Sequence, residues 1–363
     1  MIATLTSAKG RCVRVGKNEP VRVMALVGLT TSKDERAQKE KVAALLGMAD
    51  GPDVIADLSL VTTAKPLYMD IISSGCLAAM LPIYLARVRH GRVDAQELLD
   101  VATGAMEAGV SLLTIHPTAT HALVEQAQQK RHVPWTSRGG GLVIRDLITS
   151  ERRENIYSMI LPELLAVARK HRVVISLGAT FRAATVFDSM DSVQLAEIEA
   201  QRQLATEIAA AGVHVIIESP GHAPPEKIRV LGKILSKVGF PIMPLGPMPT
   251  DSAVGFDHVA AAIGASLLGL EGAAHMLAAV TREEHTGGIP STASTLEAVQ
   301  SARVAARVID LGGGYIEPEQ TSLQHRTKHS TCVAGQATPG CSRCGRACPL
   351  LHHHAAKKSS PPS

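Results

Sequence analysis

The chain has 363 residues, of which 45% are hydrophobic and only 2% aromatic, with one tryptophan, Trp135. A core so poor in rings must be built from Ala, Val, Ile and Leu, and it offers little surface for stacking on bases or sugars. The net charge of +4 is scattered rather than gathered into a basic run, which argues against nucleic acid, and no apolar stretch is long enough to cross a bilayer or to act as a secretion signal. A cytoplasmic protein with reduced thiols is therefore expected, without a disulfide framework.

In chain order, a polar segment (1–20) comes first. Short runs rich in Val, Ile and Leu then recur at 21–27, 53–59, 76–82, 111–117, 173–178, 214–220, 241–247 and 266–272. Such near-continuous apolar runs read as parallel strands covered on both faces. Helical stretches separate most of them, among them "AQELLDVATGAMEAG" and "LAEIEAQRQLATEIAAAG", the latter ending at Gly212. Repetition of this unit predicts an α/β fold, a (β/α)8 TIM-like barrel with a C-terminal helix over 21–314; a doubly wound open sheet is the runner-up. No G-x-G-x-x-G links a strand to a helix, which disfavours dinucleotide binding.

Polar residues collect where these strands end, the place a barrel uses for chemistry. Asp57, Ser59, Tyr84 and His116 are the first. "TSRGGG" (136–141) sets Ser137 and Arg138 beside Gly139, a predicted loop of N–H groups and one guanidinium that suits a phosphate, although such loops are more often plain turns. Glu218 and His222 follow one strand, Thr250, Asp251 and His258 the next, and Glu283, Glu284 and His285 come later still. Neutral imidazoles suit zinc or iron, but each of these histidines taken singly is more often structural.

From residue 315 the sequence is polar and aperiodic and reads as a flexible tether over 315–363. It carries Cys341, Cys344 and Cys348 in C-x-x-C-x-x-x-C order, then His352, His353 and His354, which read as a solvated tail. Three thiols so spaced could hold a metal, form a disulfide or do neither. Cys12 and Cys76 stand alone, and Cys332 is unpaired by spacing.

The stretches "TIHPTAT", "SRGGG", "SLGATFRAA", "IESPGHAPPEKI", "PLGPMPTDSAVGFDHVAAAIGA" and "VTREEHTGGIP" resemble, in order and spacing, the phosphomethylpyrimidine synthase family, a radical S-adenosylmethionine (SAM) group of thiamine biosynthesis. The resemblance runs over roughly residues 20–310. It implies a [4Fe-4S] cluster on Cys341, Cys344 and Cys348, whose open iron binds SAM, and zinc on His222 and His285. It further implies substrate contacts from Tyr84, His116, Ser137, Arg138, Gly139, Arg182 and Glu218, with Asp251 and His258 lining the same pocket. The implied activity is a lyase reaction, the rearrangement of aminoimidazole ribotide to hydroxymethylpyrimidine phosphate. The implied partners are a flavodoxin- or ferredoxin-type electron donor and a second copy of the chain, whose active site the cluster-bearing tail enters. A sister activity makes 5-hydroxybenzimidazole from the same ribotide, and a third reading is a non-catalytic metal- and phosphate-binding paralogue.

The chain departs from the family pattern at several points. The cysteine spacing is one residue shorter than the usual C-x-x-C-x-x-x-x-C. The first strand reads "MALVG" where the family has an asparagine-bearing segment, and Ala179, Ala278 and Phe256 replace an acidic residue, a cysteine and a tyrosine. Loss of polar groups from a pocket while its ionic groups stay points to an altered ligand.

Overall fold

The computed structural model describes residues 1–351, so His352, His353 and His354 lie outside the described residues. The chain divides into two compact units, residues 1–309 and the part from Asp310 onward.

The first unit is a barrel. Its strands are β1 (Arg22–Val27), β2 (Val54–Asp57), β3 (Leu77–Met80), β4 (Leu112–Ile115), β5 (Val174–Leu177), β6 (Val215–His222), β7 (Ile242–Met248) and β8 (Met276–Ala278). All pair in parallel, in the order β7-β6-β5-β4-β3-β2-β1-β8, with helices over the outside. The seam between β7 and β8 has no regular ladder. His275 N donates to Ile242 O at 2.9 Å, and Ile242 N donates to His275 Nδ1, also at 2.9 Å. A side chain thus takes the place of a ladder carbonyl. The fold is the (β/α)8 barrel that strand–helix alternation predicts.

The two-residue period of the strands sorts the core into two parts. Val23, Ala25, Ile55, Ala78, Leu113, Ile175, Ile217 and Ile242 are fully buried under the helices. Their alternates, Met24, Val54, Leu77, Leu112, Val174, Ile216, Met243 and Met276, fill the inside of the barrel. That interior cluster also contains Ala3, Leu5, Val13 and Val15. These come from an antiparallel hairpin, Ile2–Thr6 with Cys12–Gly16. The hairpin is held by Thr4 N donating to His214 Nδ1 at 2.9 Å and by Ser111 Oγ donating to Thr6 O at 2.9 Å, both just ahead of barrel strands. The N-terminal segment, which reads as polar, is therefore a plug in the amino-terminal end of the barrel. Its alternation (Ala3, Leu5; Val13, Val15) is short enough to be lost among the charged residues between.

Two other expectations need correction. The run 266–272 is not a strand: the helix Asp257–Gly269 extends into it, and the eighth strand is the three-residue "MLA" at 276–278. A short Leu-rich run has no period of its own, and here Leu268 is buried while Leu270 is exposed, as a helical turn requires. The region from 315 is not irregular throughout. Glu317–His329 forms a helix with Glu317 and Glu319 in its first turn and Arg326, Lys328 and His329 in its last, each near the dipole end that favours it.

Helix Ser192–Ala210 has the order of polarity reversed on one stripe, because its buried residues include Gln194, Glu197 and Gln201. Each satisfies backbone that the sheet leaves unpaired. Gln201 Nε2 donates to Leu177 O at 2.9 Å and to Glu218 O at 3.2 Å, Gln194 Nε2 donates to Pro220 O at 2.6 Å, and Glu197 accepts from the N–H groups of Thr180 and Phe181. These bonds stiffen the carboxyl-terminal ends of β5 and β6, next to the polar residues that follow them. The helix ends at Ala210, and Gly212, at φ +82°, turns the chain toward β6, the role its position predicts.

Candidate functional site

With the amino-terminal end plugged, the free space lies at the carboxyl-terminal mouth. A cavity of about 240 Å³ opens there, and its walls include Tyr84, His116, Ser137, Arg138, Arg182, Glu218, His222, Glu284 and His285. Its floor is apolar, formed by Met24, Leu26, Ala56 and Ala278. The stretch that departs most from the family pattern, "MALVG", thus supplies two floor residues.

Glu218 points from β6 into the barrel. The hydroxyls of Thr114 (β4) and Ser176 (β5) donate to its Oε1 at 3.3 and 3.2 Å. Burial raises its pKa, and the Arg182 guanidinium opposes that rise. Burial likewise pushes the Tyr84 hydroxyl up to about 12, against the influence of Arg138 and Arg182. Arg138 lies over the Tyr84 ring, 5.7 Å from its centroid.

His116 is fully enclosed. Burial, with Arg182 adding repulsion, lowers its pKa to about 3, so the ring stays neutral. Its Nε2 lies 3.0 Å from Ser137 Oγ, whereas its Nδ1 is buried without a protein partner. The ring is clamped between two glycines. A Cβ on Gly139 would stand 2.4 Å from its Cε1, and one on Gly178 would stand 2.5 Å from its Nε2. Asn155 Nδ2 donates to the His116 carbonyl at 3.0 Å and fixes the backbone below the ring.

The "SRGGG" stretch is not a loop but the start of helix Arg138–Thr149. Ser137 is the N-cap, its Oγ accepting from Gly140 N at 3.1 Å. The first-turn N–H groups of Arg138 and Gly139 have no helical acceptor, and they begin the helix beside the cavity wall. Gly139 is needed at this point because His116 occupies the volume a side chain would take.

His222 and His285 meet at the cavity edge with their Nε2 atoms 3.2 Å apart. His222 Nδ1 bonds Asp251 Oδ1 at 2.7 Å, and His285 Nδ1 bonds Asp257 Oδ1 at 2.6 Å. Each carboxylate holds its ring in the tautomer that leaves Nε2 unprotonated. Burial pulls His222 below the ordinary imidazole range, which favours the neutral form. Two converging imidazole lone pairs, each backed by a carboxylate, fit a zinc ion whose remaining positions are filled by something other than these side chains. Among the described residues no group of three or more His, Cys, Asp and Glu side chains forms a ready-made metal site.

Asp251 and His258 do not line the cavity. Asp251 bonds His222 and also accepts from Val186 N, while His258 lies beside Glu297, 3.6 Å away, next to a separate small apolar space. Asp257, the residue before His258, backs His285 as Asp251 backs His222. Asp257, Thr114 and Ser176 do not stand out in the sequence, because each belongs to an apolar strand or to a helix. For Thr114 and Ser176 the signal is register, since they fall on the same alternation as the inward Leu112 and Val174.

Within the second unit, the backbone N–H groups of Cys344 and Arg343 hydrogen-bond the Cys341 thiol and lower its pKa. Thiols on a short segment with N–H groups aimed at sulfur fit an iron–sulfur cluster. Cys341, Cys344 and Cys348 would hold it, and no disulfide links any described cysteine. Among the described residues no helix is long and apolar enough to cross a membrane.

Comparison with known proteins finds a family and relatives for the chain. The family model described as "Radical SAM ThiC family" matches residues 1–324. The 5-hydroxybenzimidazole synthase BzaA of Moorella thermoacetica is 31% identical, over 93% of this chain and 85% of its own length. The phosphomethylpyrimidine synthases of Thermotoga sp. (strain RQ2) and Methanopyrus kandleri are 30% and 32% identical, over 83% and 84% of this chain and 72% of their own lengths. The family model covers most of the chain, and relatives at 30% identity or more extend over more than four-fifths of it: the chain belongs to the radical SAM ThiC family.

Proposed function

We propose that the chain binds a small phosphorylated ribotide at the barrel mouth and rearranges it by radical SAM chemistry, acting as a carbon–carbon lyase that converts aminoimidazole ribotide to hydroxymethylpyrimidine phosphate. The observation that carries this reading is the cavity itself, with Arg138, Arg182 and a helix N-terminus on one wall and the buried Glu218 facing the interior. The guanidiniums and first-turn N–H groups suit a phosphate. Glu218, held by Thr114 and Ser176, suits an N–H-bearing heterocycle, and the unpartnered His116 Nδ1 adds one more polar contact. Tyr84 and Ser137 complete the substrate wall, Gly139 makes room for His116 behind it, Asp251 holds His222 and His258 lies outside.

When bound, the [4Fe-4S] cluster and SAM supply the radical. The protein's part is to orient the ribotide, exclude water and hold protons at Glu218 and Tyr84. Zinc on His222 and His285 is part of the same proposal, supported by their Nε2 convergence. So are a cytoplasmic setting, a flavodoxin- or ferredoxin-type electron donor and a homodimer. The dimer is supported by apolar side chains exposed along two helices, Val259 and Ile263 on one and Val304 and Val308 on the other.

A second reading, 5-hydroxybenzimidazole synthesis from the same ribotide, is favoured by the BzaA relative and by Met24 and Leu26 on the cavity floor. An apolar floor suits a product without the pyrimidine's polar substituents. Anaerobic reconstitution with iron, sulfide, SAM, a reductant and aminoimidazole ribotide, followed by mass spectrometry, tests both. Hydroxymethylpyrimidine phosphate is expected, 5-hydroxybenzimidazole would select the second reading, and neither product with no 5′-deoxyadenosine would overturn both.

A further inference from the structure

The tail holds a fourth cysteine, Cys332, nine residues ahead of Cys341, in the order C-x8-C-x2-C-x3-C. By spacing it has no partner, but the second unit gives it one. The segment 330–340 is a closed loop. Gly340 N donates to Ser330 O at 3.0 Å, the buried Thr331 donates through Oγ1 to Gly340 O at 3.0 Å, and Gln336 Nε2 donates to the same carbonyl at 2.7 Å. Thr331 is 1% exposed, the only such enclosed polar residue described in this unit. These bonds put Cys332 and Cys341, the residues after Thr331 and Gly340, at the closed end of the loop, and the Cys332 side chain helps to lower the Cys341 pKa. Cys348 folds back from the other side, its Sγ 3.4 Å from where a Cβ on Gly340 would stand. The Cys344 side chain helps to lower the Cys341 pKa as well.

A loop pinned at both ends is a costly way to place an exposed, idle thiol. We propose that Cys332 is a fourth thiolate donor at the tail's metal site, filling the iron position that a three-cysteine motif leaves open. The inference rests on the iron–sulfur reading above. Among the described residues these side chains form no ready-made metal site; a metal-linked site gathers its ligands when the metal binds. A protein ligand on the open iron shields the cluster while no SAM is present, and SAM must displace it through its amino and carboxylate groups.

The test uses the full chain, reconstituted anaerobically with iron and sulfide. Each cysteine is alkylated with iodoacetamide and quantified by mass spectrometry, with the exposed Cys12 as internal reference. Cys332 in the loaded chain is expected to label about tenfold or more slowly than in the metal-free chain, because a metal-bound thiolate is a poor nucleophile. Saturating SAM should restore its labelling while Cys341, Cys344 and Cys348 stay protected. In parallel, Cys332→Ala should keep its iron and sulfide but change the electron paramagnetic resonance spectrum of the reduced SAM-free cluster, and the two spectra should coincide once SAM is added. Unchanged Cys332 labelling in a loaded chain, protection that persists under SAM, or identical SAM-free spectra overturns the inference alone. A wild-type chain with no cluster absorbance overturns the radical reading and this inference with it.

Discussion

His222 and His285 lie 63 residues apart in the chain, yet their Nε2 atoms are 3.2 Å from each other, and each ring is held from behind by a carboxylate, Asp251 and Asp257 respectively. Two ring nitrogens that converge in this way, each ring backed by a carboxylate, leave a place suited to a cation between them. The carboxylates fix ring orientation and raise ligand basicity, so their removal should weaken zinc by about ten- to hundredfold. Asp257→Asn and Asp251→Asn are each expected to show this in chelator competition, and His222→Ala should lose the zinc altogether. Unchanged affinity in both Asn variants would place the zinc elsewhere.

The glycine clamp on His116 can be tested without any ligand. Gly178→Ala drives a methyl to within 2.5 Å of the ring, which cannot yield because Gly139 closes the other side. Such overpacking costs about 1–3 kcal/mol. The urea midpoint should fall with an unchanged slope. Gly141→Ala serves as the control: its nearest neighbour, Trp135 Cδ1, would be 4.0 Å away, so this helical position should be neutral or gain up to about 1 kcal/mol.

The seam at β7 and β8 should make the barrel sensitive to acid. His275 accepts the Ile242 N–H through Nδ1 and so must be neutral, and burial with the nearby N-terminal ammonium lowers its pKa to about 4. Between that value and the free-imidazole range near about 6.5, the unfolded chain binds a proton that the folded chain refuses. The stabilisation is therefore complete above the upper value and is lost as the pH falls toward the lower one, by at most about 1.4 kcal/mol per pH unit. Denaturation of His275→Gln at pH 7 and pH 5 should show a slope shallower by up to one proton than wild type. Equal slopes would mean His275 does not titrate in this way.

The cation wall should govern phosphate affinity. Charged hydrogen bonds are worth about 1.5–3 kcal/mol, so Arg138→Ala and Arg182→Ala should each weaken ribotide binding about ten- to hundredfold in calorimetry. Arg138→Lys should recover little, because a point charge replaces the planar fork. Full affinity in both Ala variants would move the phosphate to another wall.

The cysteine motif should be separable from the barrel. Cys344→Ser is expected to abolish cluster absorbance and 5′-deoxyadenosine formation while far-ultraviolet circular dichroism stays unchanged. A fully active variant would remove the radical chemistry from this segment.

Much of the fold is legible in the chain because parallel strands buried on both faces leave continuous Val, Ile and Leu runs. "VVISLG" and "HVIIESP" are read correctly for that reason. Where a run is equally apolar in two conformations, as "SLLGLEG" is, composition cannot choose, and "MLA" is too short to compete. The hairpin that plugs the barrel escapes notice because its four inward residues alternate with polar ones over only five positions per strand. Of the candidate site, His222, His285 and Glu218 stand out as polar groups at or after strand ends, and Arg138 stands out beside the glycines of "TSRGGG". Asp257 does not, because its role is visible only from the position of His285, which comes from a different loop.

The sequence by itself determined the period, the layers and the chemical types available at the mouth, since these follow from local backbone geometry and from which side chains water rejects. Only the tertiary structure decided which end of the barrel is closed, which carboxylate backs which histidine, and that Gly139 and Gly178 make room for one imidazole. These facts depend on strand stagger and on loops from separate crossovers meeting in space, and no local pattern along the chain encodes such distances.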